Sequence, residues 1–228
     1  MPALDRRGIS KRGQRKIKSM KKNNGRDRRL YLGVDVGGTK IQASLVGESG
    51  EIVGREKLPT PRNKGPERVV AALEKCMDNA LQKGGVAAND LAAIGVAVPG
   101  VVDARRGLVV VAPNIDLTGV DLGALLKARF SAPTVVGNDG NFGAYGEAWL
   151  GSARRARSAL YICVGTGIGG GLVRRGKLWR GGRDAAGEIG HIKMQLEGPL
   201  CGCGNRGCFE ALASRTAIER ELREAVAA

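Results

Sequence analysis

The order of apolar and polar positions predicts one group of elements twice along the chain. Apolar and β-branched residues at 30–36 predict a buried strand, which is followed by glycines and by two further strands at 41–46 and 52–58. The same order returns at 159–180, where an apolar strand precedes a glycine-rich loop and a hairpin. A repeat of this size is a supersecondary unit rather than a short solenoid period. We therefore predict two similar halves, each with a Gly-rich loop at a strand end.

Helices and strands alternate between the two copies of this unit. Apolar residues recur at helical spacing from 66 to 83, and Pro66 suits the first helical turn. Further strands are predicted at 93–98 and 134–136, and further helices at 122–130, 141–150 and 215–227. The alternation predicts an α/β fold of two domains, residues 30–137 and 138–228. Because the second half lacks the later helix–strand units of the first, we expect its domain to be incomplete.

The net charge of +15 is concentrated at the N-terminus. Residues 1–29 hold 12 Lys or Arg against Asp5 and Asp27, whereas the rest of the chain is only mildly basic. Few apolar residues accompany these charges, so we predict a disordered basic extension. Its cations suit a phosphate-rich partner. A non-functional extension, with Met20 as the true start, is the favoured interpretation.

Composition excludes several classes of protein. Hydrophobic content of 43% and charged content of 26% are typical of a globular chain. No stretch reaches the roughly 20 apolar residues of a membrane span, and the first 30 residues contain no apolar core of a secretory signal. The cysteine count of five is odd and favours metal binding over a disulfide framework. We therefore expect a reducing, cytoplasmic compartment and no membrane partner.

Three cysteines and the single histidine have the spacing of a metal site. Zinc takes four sulfur or imidazole ligands tetrahedrally, and a closed set of three cysteines and one histidine is structural. A redox pair or free thiols is the alternative interpretation. The predicted ligands are His191, Cys201, Cys203 and Cys208. The other two cysteines, Cys76 and Cys163, are predicted to be small apolar core residues.

Two glycine-rich loops follow the repeated strands. Their backbone N–H groups suit phosphate oxygens, and hairpin glycines are the alternative. The first loop is not a P-loop, because its order is Thr39-Lys40 and a strand follows. The second matches the dinucleotide fingerprint but leads into a hairpin instead of a helix, so a Rossmann dehydrogenase is disfavoured. The predicted phosphate-binding residues are Gly37, Gly38, Thr39 and Lys40 in the first loop, and Gly165, Thr166, Gly167, Gly169 and Gly170 in the second, with Asp35 near a Mg²⁺ ion.

Polar side chains at strand ends and beside the cysteines suit the hydroxyls of a sugar. Turn or cap roles are the alternative for each of them. Since the chain has one histidine, a general base must be a carboxylate or Lys, and we choose Asp139. The predicted sugar-binding residues are Asn114, Asn138, Asp139, Glu188, His191 and Glu210.

These motifs resemble one known family in order and spacing. The matching segments are 35–40, 138–139, 165–170, 187–191 and 201–210, and the last two are highly specific. The chain is similar over about residues 30–220 to the ROK sugar kinases and repressors of the actin-like ATPase superfamily. This resemblance implies an actin-like (ribonuclease H-like) two-domain fold, ATP phosphates on both loops, structural zinc, and Asp139 as the catalytic base.

The resemblance implies ATP-dependent phosphorylation of a hexose 6-hydroxyl, with glucose as the expected sugar. N-acetylmannosamine or N-acetylglucosamine kinase activity, and a sugar-binding regulator or an inactive truncated kinase, stay open as alternatives. Relatives usually continue for some 70–100 residues, so the chain is expected to be truncated. Residues 1–29 are too short and too poor in apolar positions for a helix-turn-helix, which favours the kinase branch. The resemblance also implies a homodimer, and no nucleic-acid partner is expected outside the basic extension.

Overall fold

The computed structural model describes residues 29–182 and 184–227. The predicted basic extension, apart from Arg29, lies outside these residues. A five-stranded sheet dominates the first part of the chain, with strand order β3-β2-β1-β4-β7. Its strands are β1 (Leu30–Val36), β2 (Lys40–Gly47), β3 (Ile52–Pro59), β4 (Leu91–Val98) and β7 (Thr134–Asn138), and β5 (Val101–Asp103) with β6 (Leu108–Val111) forms a separate hairpin.

Two helices accompany this sheet, α1 (Pro66–Gly84) and α2 (Leu122–Phe130). Pro66 occupies the first turn of α1, and Gly85 in the left-handed conformation ends the helix. Strands β1, β2 and β3 are antiparallel to one another, whereas β4 and β7 continue the sheet parallel to β1. The carboxyl ends of β1, β4 and β7 therefore meet at one edge of the sheet, where ligands usually bind in α/β folds.

The apolar core lies in this first part of the chain. Its buried residues form one cluster that runs from Leu32 to Val136 and includes Cys76 of α1. Alternate residues of β1 and β2 point into it, as the period of two along a strand requires. The prediction that Cys76 is a small core residue is confirmed.

A second, three-stranded antiparallel sheet follows, with strand order β10-β9-β8. Helix α3 packs against β8 and β9. On β8, Leu160, Ile162 and Val164 are exposed, because no described element covers that face. The elements are α3 (Asp139–Trp149), β8 (Ser158–Val164), β9 (Ile168–Arg174), β10 (Lys177–Leu178), α4 (Phe209–Ala213) and α5 (Arg215–Ala227), with a 3₁₀ turn at Ile189–His191.

Three sequence predictions are wrong in this second region. Cys163 is exposed instead of buried, because β8 is an uncovered edge strand. Helix α3 begins at Asp139 rather than at residue 141, because the Asn138 side chain caps the helix by accepting from the N–H of Asn141. The glycine-rich segment is a loop only as far as Gly167, because the ladder pairs Val164 with Ile168.

Within the described residues, no helix has both the length and the apolar character that a membrane crossing requires.

Candidate functional site

Asp139 lies where the two sheets meet. Strand β7 ends at Asn138, which is also the N-cap of α3, so Asp139 occupies the first turn of that helix. The N–H of Gly140 donates to Asp139 Oδ1 at 2.8 Å, and Asn138 Nδ2 donates to the Gly100 carbonyl oxygen at 3.1 Å. These bonds fix both side chains, and the helix N-terminus stabilises the carboxylate.

Close glycine packing joins this helix start to the second sheet. A methyl group added at Gly140 would lie 2.6 Å from the carbonyl oxygen of Gly170. One added at Gly170 would lie 2.5 Å from the carbonyl oxygen of Gly187, so the backbone of Gly187 packs on the same strand. The absence of side chains at these positions therefore lets the backbone that leads to Glu188 approach the start of α3, and the charges of Glu188 and Asp139 interact.

The first glycine loop is a closed turn whose carbonyl oxygens accept hydrogen bonds from two side chains of a later segment. The Gly37 N–H donates to the Lys40 carbonyl oxygen at 2.9 Å. Thr60 Oγ1 donates to the Gly37 carbonyl oxygen at 2.6 Å, and Arg62 Nε donates to that of Gly38 at 2.8 Å. Among the described residues, the N–H groups of Gly38 and Thr39 have no acceptor, so they are available to a ligand.

Asn114 lies beside this loop. A methyl group added at Gly38 would lie 3.4 Å from the Asn114 carbonyl oxygen and 3.7 Å from its Cβ. The Asn114 side chain is exposed and follows the end of the β5–β6 hairpin. The structure thus brings Asn114 next to the first glycine loop.

The second glycine loop is held by the start of α5. Arg215 donates twice, from its backbone N–H to the Gly165 carbonyl oxygen at 3.0 Å and from Nη2 to Thr166 Oγ1 at 3.0 Å. Thr216 Oγ1 donates to the Thr166 carbonyl oxygen at 2.7 Å. The N–H of Gly165 closes the turn on the Gly167 carbonyl oxygen at 2.8 Å.

Gly169 and Gly170 belong to β9 rather than to this loop. Gly170 is buried in the packing against Gly140 and Gly187, whereas a methyl group at Gly169 would meet no atom within 4 Å. Of the predicted phosphate-binding residues in this segment, Gly165, Thr166 and Gly167 therefore form the loop itself.

The carboxylates of the site influence one another. Partial desolvation, followed by the charge of Asp139, raises the pKa of Asp35, and Lys40 opposes this shift. Desolvation also raises the pKa of Glu188, with Asp139 and Glu210 adding to the effect while His191 opposes it. Asp139 is thus electrostatically coupled to Asp35 in the first half and to Glu188 in the second.

The predicted metal ligands come together in one cluster. One ligand atom from each of His191, Cys201, Cys203 and Cys208 lies within 4.8 Å of the others. Cys201 Sγ is 3.7 Å from His191 Nδ1, and the Sγ atoms of Cys203 and Cys208 are also 3.7 Å apart. Ligand atoms around tetrahedral zinc, with bonds of about 2.0–2.3 Å, are about 3.3–3.8 Å apart. The four residues therefore fit a tetrahedral metal ion.

The cluster contains one thiol that is readily ionised. A hydrogen bond from the Asn205 backbone is the largest cause that lowers the pKa of Cys203 to about 7. Burial raises the pKa of Cys201 to about 12. Metal binding must therefore displace a proton from Cys201, which makes the affinity fall with falling pH.

Glu210 links the metal cluster to the second glycine loop. Its Oε2 accepts from the Ile168 N–H at 2.8 Å, and its Oε1 is 3.7 Å from Cys201 Sγ. One oxygen of this predicted sugar-binding residue is therefore already used within the protein.

Four residues that position the loops are not indicated by any sequence motif. They are Thr60, Arg62, Arg215 and Thr216. They follow the loops by roughly 20 or 50 positions and belong to no motif, so only the fold reveals their contacts.

Comparison with known proteins identifies relatives of two kinds. A profile of the ROK family matches residues 31–228. The glucokinase of Streptomyces coelicolor is 40% identical over 195 residues, which cover 86% of this chain and 59% of that protein. The xylose repressor of Caldicellulosiruptor bescii is 30% identical over 195 residues, which cover 86% of this chain and 49% of that protein.

A solved structure gives the same result. The crystal structure of a ROK family glucokinase from Streptomyces griseus in complex with glucose and AMPPNP is 39% identical to this chain, with a TM-score of 0.75. The match covers 86% of this chain and 60% of that one. The predicted actin-like α/β fold is thereby confirmed, and the chain spans about three-fifths of the length of these kinases.

Proposed function

Because this chain belongs to the ROK family, we propose that it transfers the γ-phosphoryl group of ATP to the 6-hydroxyl of a hexose. Glucose is the proposed sugar, since the S. coelicolor relative is a glucokinase and the S. griseus structure contains glucose and AMPPNP. N-acetylmannosamine and N-acetylglucosamine are the alternative substrates.

One observation carries the proposal: Asp139 lies at a helix start, and its charge acts on Asp35 of the first half and on Glu188 of the second. A general base must reach the hydroxyl while the donor phosphates are held nearby. Asp139 would accept the proton of the 6-hydroxyl as its oxygen bonds to the γ-phosphorus and the bond from that phosphorus to the departing ADP breaks. Its bond from the Gly140 N–H fixes the carboxylate for this step.

The two loops would hold ATP. In the first, the unengaged N–H groups of Gly38 and Thr39, together with Lys40, would neutralise phosphate oxygens. In the second, Gly165, Thr166 and Gly167 would do so. Asp35 would orient Mg²⁺ through water, and that ion, when bound, supplies charge neutralisation at the phosphates.

The sugar would be bound by residues that approach from several segments. Asn138 is held by its bond to Gly100, and Glu188 follows the glycine that packs on β9. Asn114, His191 and Glu210 complete the proposed set. The raised pKa of Glu188 suits a group that exchanges hydrogen bonds with neutral hydroxyls.

We assign zinc a structural role. The four ligand atoms leave no open position, so the ion would supply no reactive water. It would fix His191 and the chain up to Cys208, two residues before Glu210, whose Oε2 accepts from the Ile168 N–H beside the second loop. The imidazole nitrogen of His191 that is not on the metal would remain able to bind a sugar hydroxyl.

Three wider proposals rest on this assignment. The domain boundary would lie at residue 138, where β7 passes into α3. The thiol state of the cysteines agrees with a reducing, cytoplasmic compartment and a role in carbohydrate metabolism. Homodimer formation is proposed from the family alone.

The test is a coupled assay of ATP-dependent phosphorylation with a panel of hexoses, on the full chain and on Asp139→Asn. We expect glucose to be the best substrate, and we expect the variant to lose about 10²–10⁴-fold in kcat while its glucose affinity by calorimetry stays within about threefold. Asp90→Asn, an exposed carboxylate remote from the site, is the control and should retain activity.

Two outcomes would contradict the proposal. Undiminished turnover in Asp139→Asn would remove the assigned base. Glucose or xylose binding without turnover in the unchanged chain would favour a sugar-binding regulator, the function suggested by the xylose repressor relative.

A further inference from the structure

One stretch of the chain has a strong local excess of positive charge. From Ala148 to Gly182 the sequence contains seven Lys or Arg and no acidic residue. None of the seven has a carboxylate partner within 4.0 Å among the residues that the structure describes. They are Arg154, Arg155, Arg157, Arg174, Arg175, Lys177 and Arg180.

The fold gathers most of these cations at one end of the second sheet. The turn before β8 and the turn between β9 and β10 are joined by a bond from the Arg175 N–H to the Arg157 carbonyl oxygen at 2.7 Å. Arg174 pairs with Ser158 on one side and with Lys177 on the other. We call this surface, residues 154–157 and 174–180, the basic rim. It lies at the end of β9 opposite the second glycine loop.

The basic rim contains one large aromatic side chain. Trp179 is 52% exposed, and the Arg174 guanidinium lies over its ring at 5.8 Å from the centroid. Together with Arg175, Lys177 and Leu178 these two side chains line a groove. An exposed indole in contact with a guanidinium offers a flat face among unpaired cations.

We propose that the basic rim binds single-stranded nucleic acid. Unpaired cations on two adjacent turns attract a phosphate backbone through release of its counterions. The half-exposed Trp179 ring can stack on a base with the face opposite the Arg174 guanidinium, and stacking is the second component of sites that bind single strands without sequence preference. An inorganic polyphosphate chain would use the cations but has no face for the indole, so the exposed tryptophan favours nucleic acid.

The experiment measures the affinity of the full chain for a fluorescein-labelled 20-nucleotide oligothymidylate by anisotropy over a range of salt concentrations. In R174E/K177E we expect Kd to rise at least about tenfold. The slope of log K against the logarithm of the salt concentration should become shallower by about 1.4, the value for two phosphate contacts. In Trp179→Ala we expect a rise of at least about fivefold, and in Trp179→Phe a smaller one, because stacking is partly retained.

R105E/R106E is the control for charge. It changes the net charge equally on an exposed turn of the first half, and it should alter Kd less than twofold. An equal loss in R105E/R106E and R174E/K177E would overturn the proposal, since the affinity would then follow net charge and the N-terminal extension. The proposal would be overturned in favour of a polyphosphate site by two results together. Polyphosphate would displace the oligothymidylate at equal phosphate concentration, and Trp179→Ala would leave the Kd for the oligothymidylate unchanged. Displacement by ATP would place the oligonucleotide at the glycine loops and would also contradict the proposal.

Discussion

The two halves of the chain are built on the same strand–loop–hairpin unit but are stabilised differently. In the first half, a continuous cluster of buried apolar residues extends from Leu32 to Val136. In the second, the buried cluster among the described residues comprises Cys201, Cys208 and Ala211, while Ala144, Ile168, Val173 and Ala217 are buried outside it. Two of the three cluster residues belong to the metal-ligand set.

This difference shows which forces determine the site. The first half presents its glycine loop from a sheet that is packed on an apolar core. In the second half, the positions of the glycine loop, Glu188 and Glu210 depend on close glycine packing and on the cysteine cluster. We therefore expect core mutations to act on the first half, and metal or glycine changes to act on the second.

The largest expected effect is a cavity in the first half. Phe130→Ala removes a ring that is 1% exposed and should lower the free energy of unfolding by about 3–5 kcal/mol. Leu160→Ala, on the uncovered face of β8, should change it by less than about 0.5 kcal/mol. Denaturant unfolding measures both, and similar losses would mean that the exposed face is covered in solution.

The next effect concerns the cysteine cluster. Cys208→Ser should lose the metal, which we expect at about one zinc per chain in the unchanged protein, and should weaken glucose binding tenfold or more. Cys163→Ser, outside the cluster and exposed, should keep both properties. Elemental analysis and calorimetry measure these quantities. If metal-free protein bound glucose with unchanged affinity, the cysteine cluster would not be required for sugar binding.

A paired glycine substitution tests the close packing within the second half. Gly170→Ala would bring a methyl group within 2.5 Å of the Gly187 carbonyl oxygen, and overpacking of this kind costs about 1–3 kcal/mol. Gly169→Ala meets no atom within 4 Å and should be nearly neutral. Thermal unfolding and kcat of both variants give the comparison, and equal behaviour would exclude close packing at Gly170.

The smallest effect is electrostatic. Because the pKa of Asp35 is raised in the folded state, its ionised form destabilises the fold, and the destabilisation is present only above its unfolded-state pKa of about 4. Asp35→Asn should therefore raise the free energy of unfolding at pH 7 by a small amount, under about 1 kcal/mol, because the side chain keeps solvent contact. The gain should vanish as pH falls below about 4. A gain that grows toward low pH would contradict this sign.

The same contrast explains what the sequence could predict. Helix 122–130 and the cluster of His191 with three cysteines follow from local spacing, so pattern alone finds them. The exposure of Cys163 depends on which strands flank β8, and the role of Gly170 depends on a backbone 17 residues away. The net charge of residues 30–228 does not indicate the basic rim, because acidic residues elsewhere in this range offset its cations.

The most direct test of this account is region-resolved amide hydrogen exchange of the full chain with bound zinc and after its removal by a chelator. We predict faster exchange at 188–213 and in the loop 165–167 after removal, with unchanged exchange in the strands β1, β2 and β4. Equal acceleration in both halves, or no change at 188–213, would contradict the claim that the cysteine cluster organises the second half of the site.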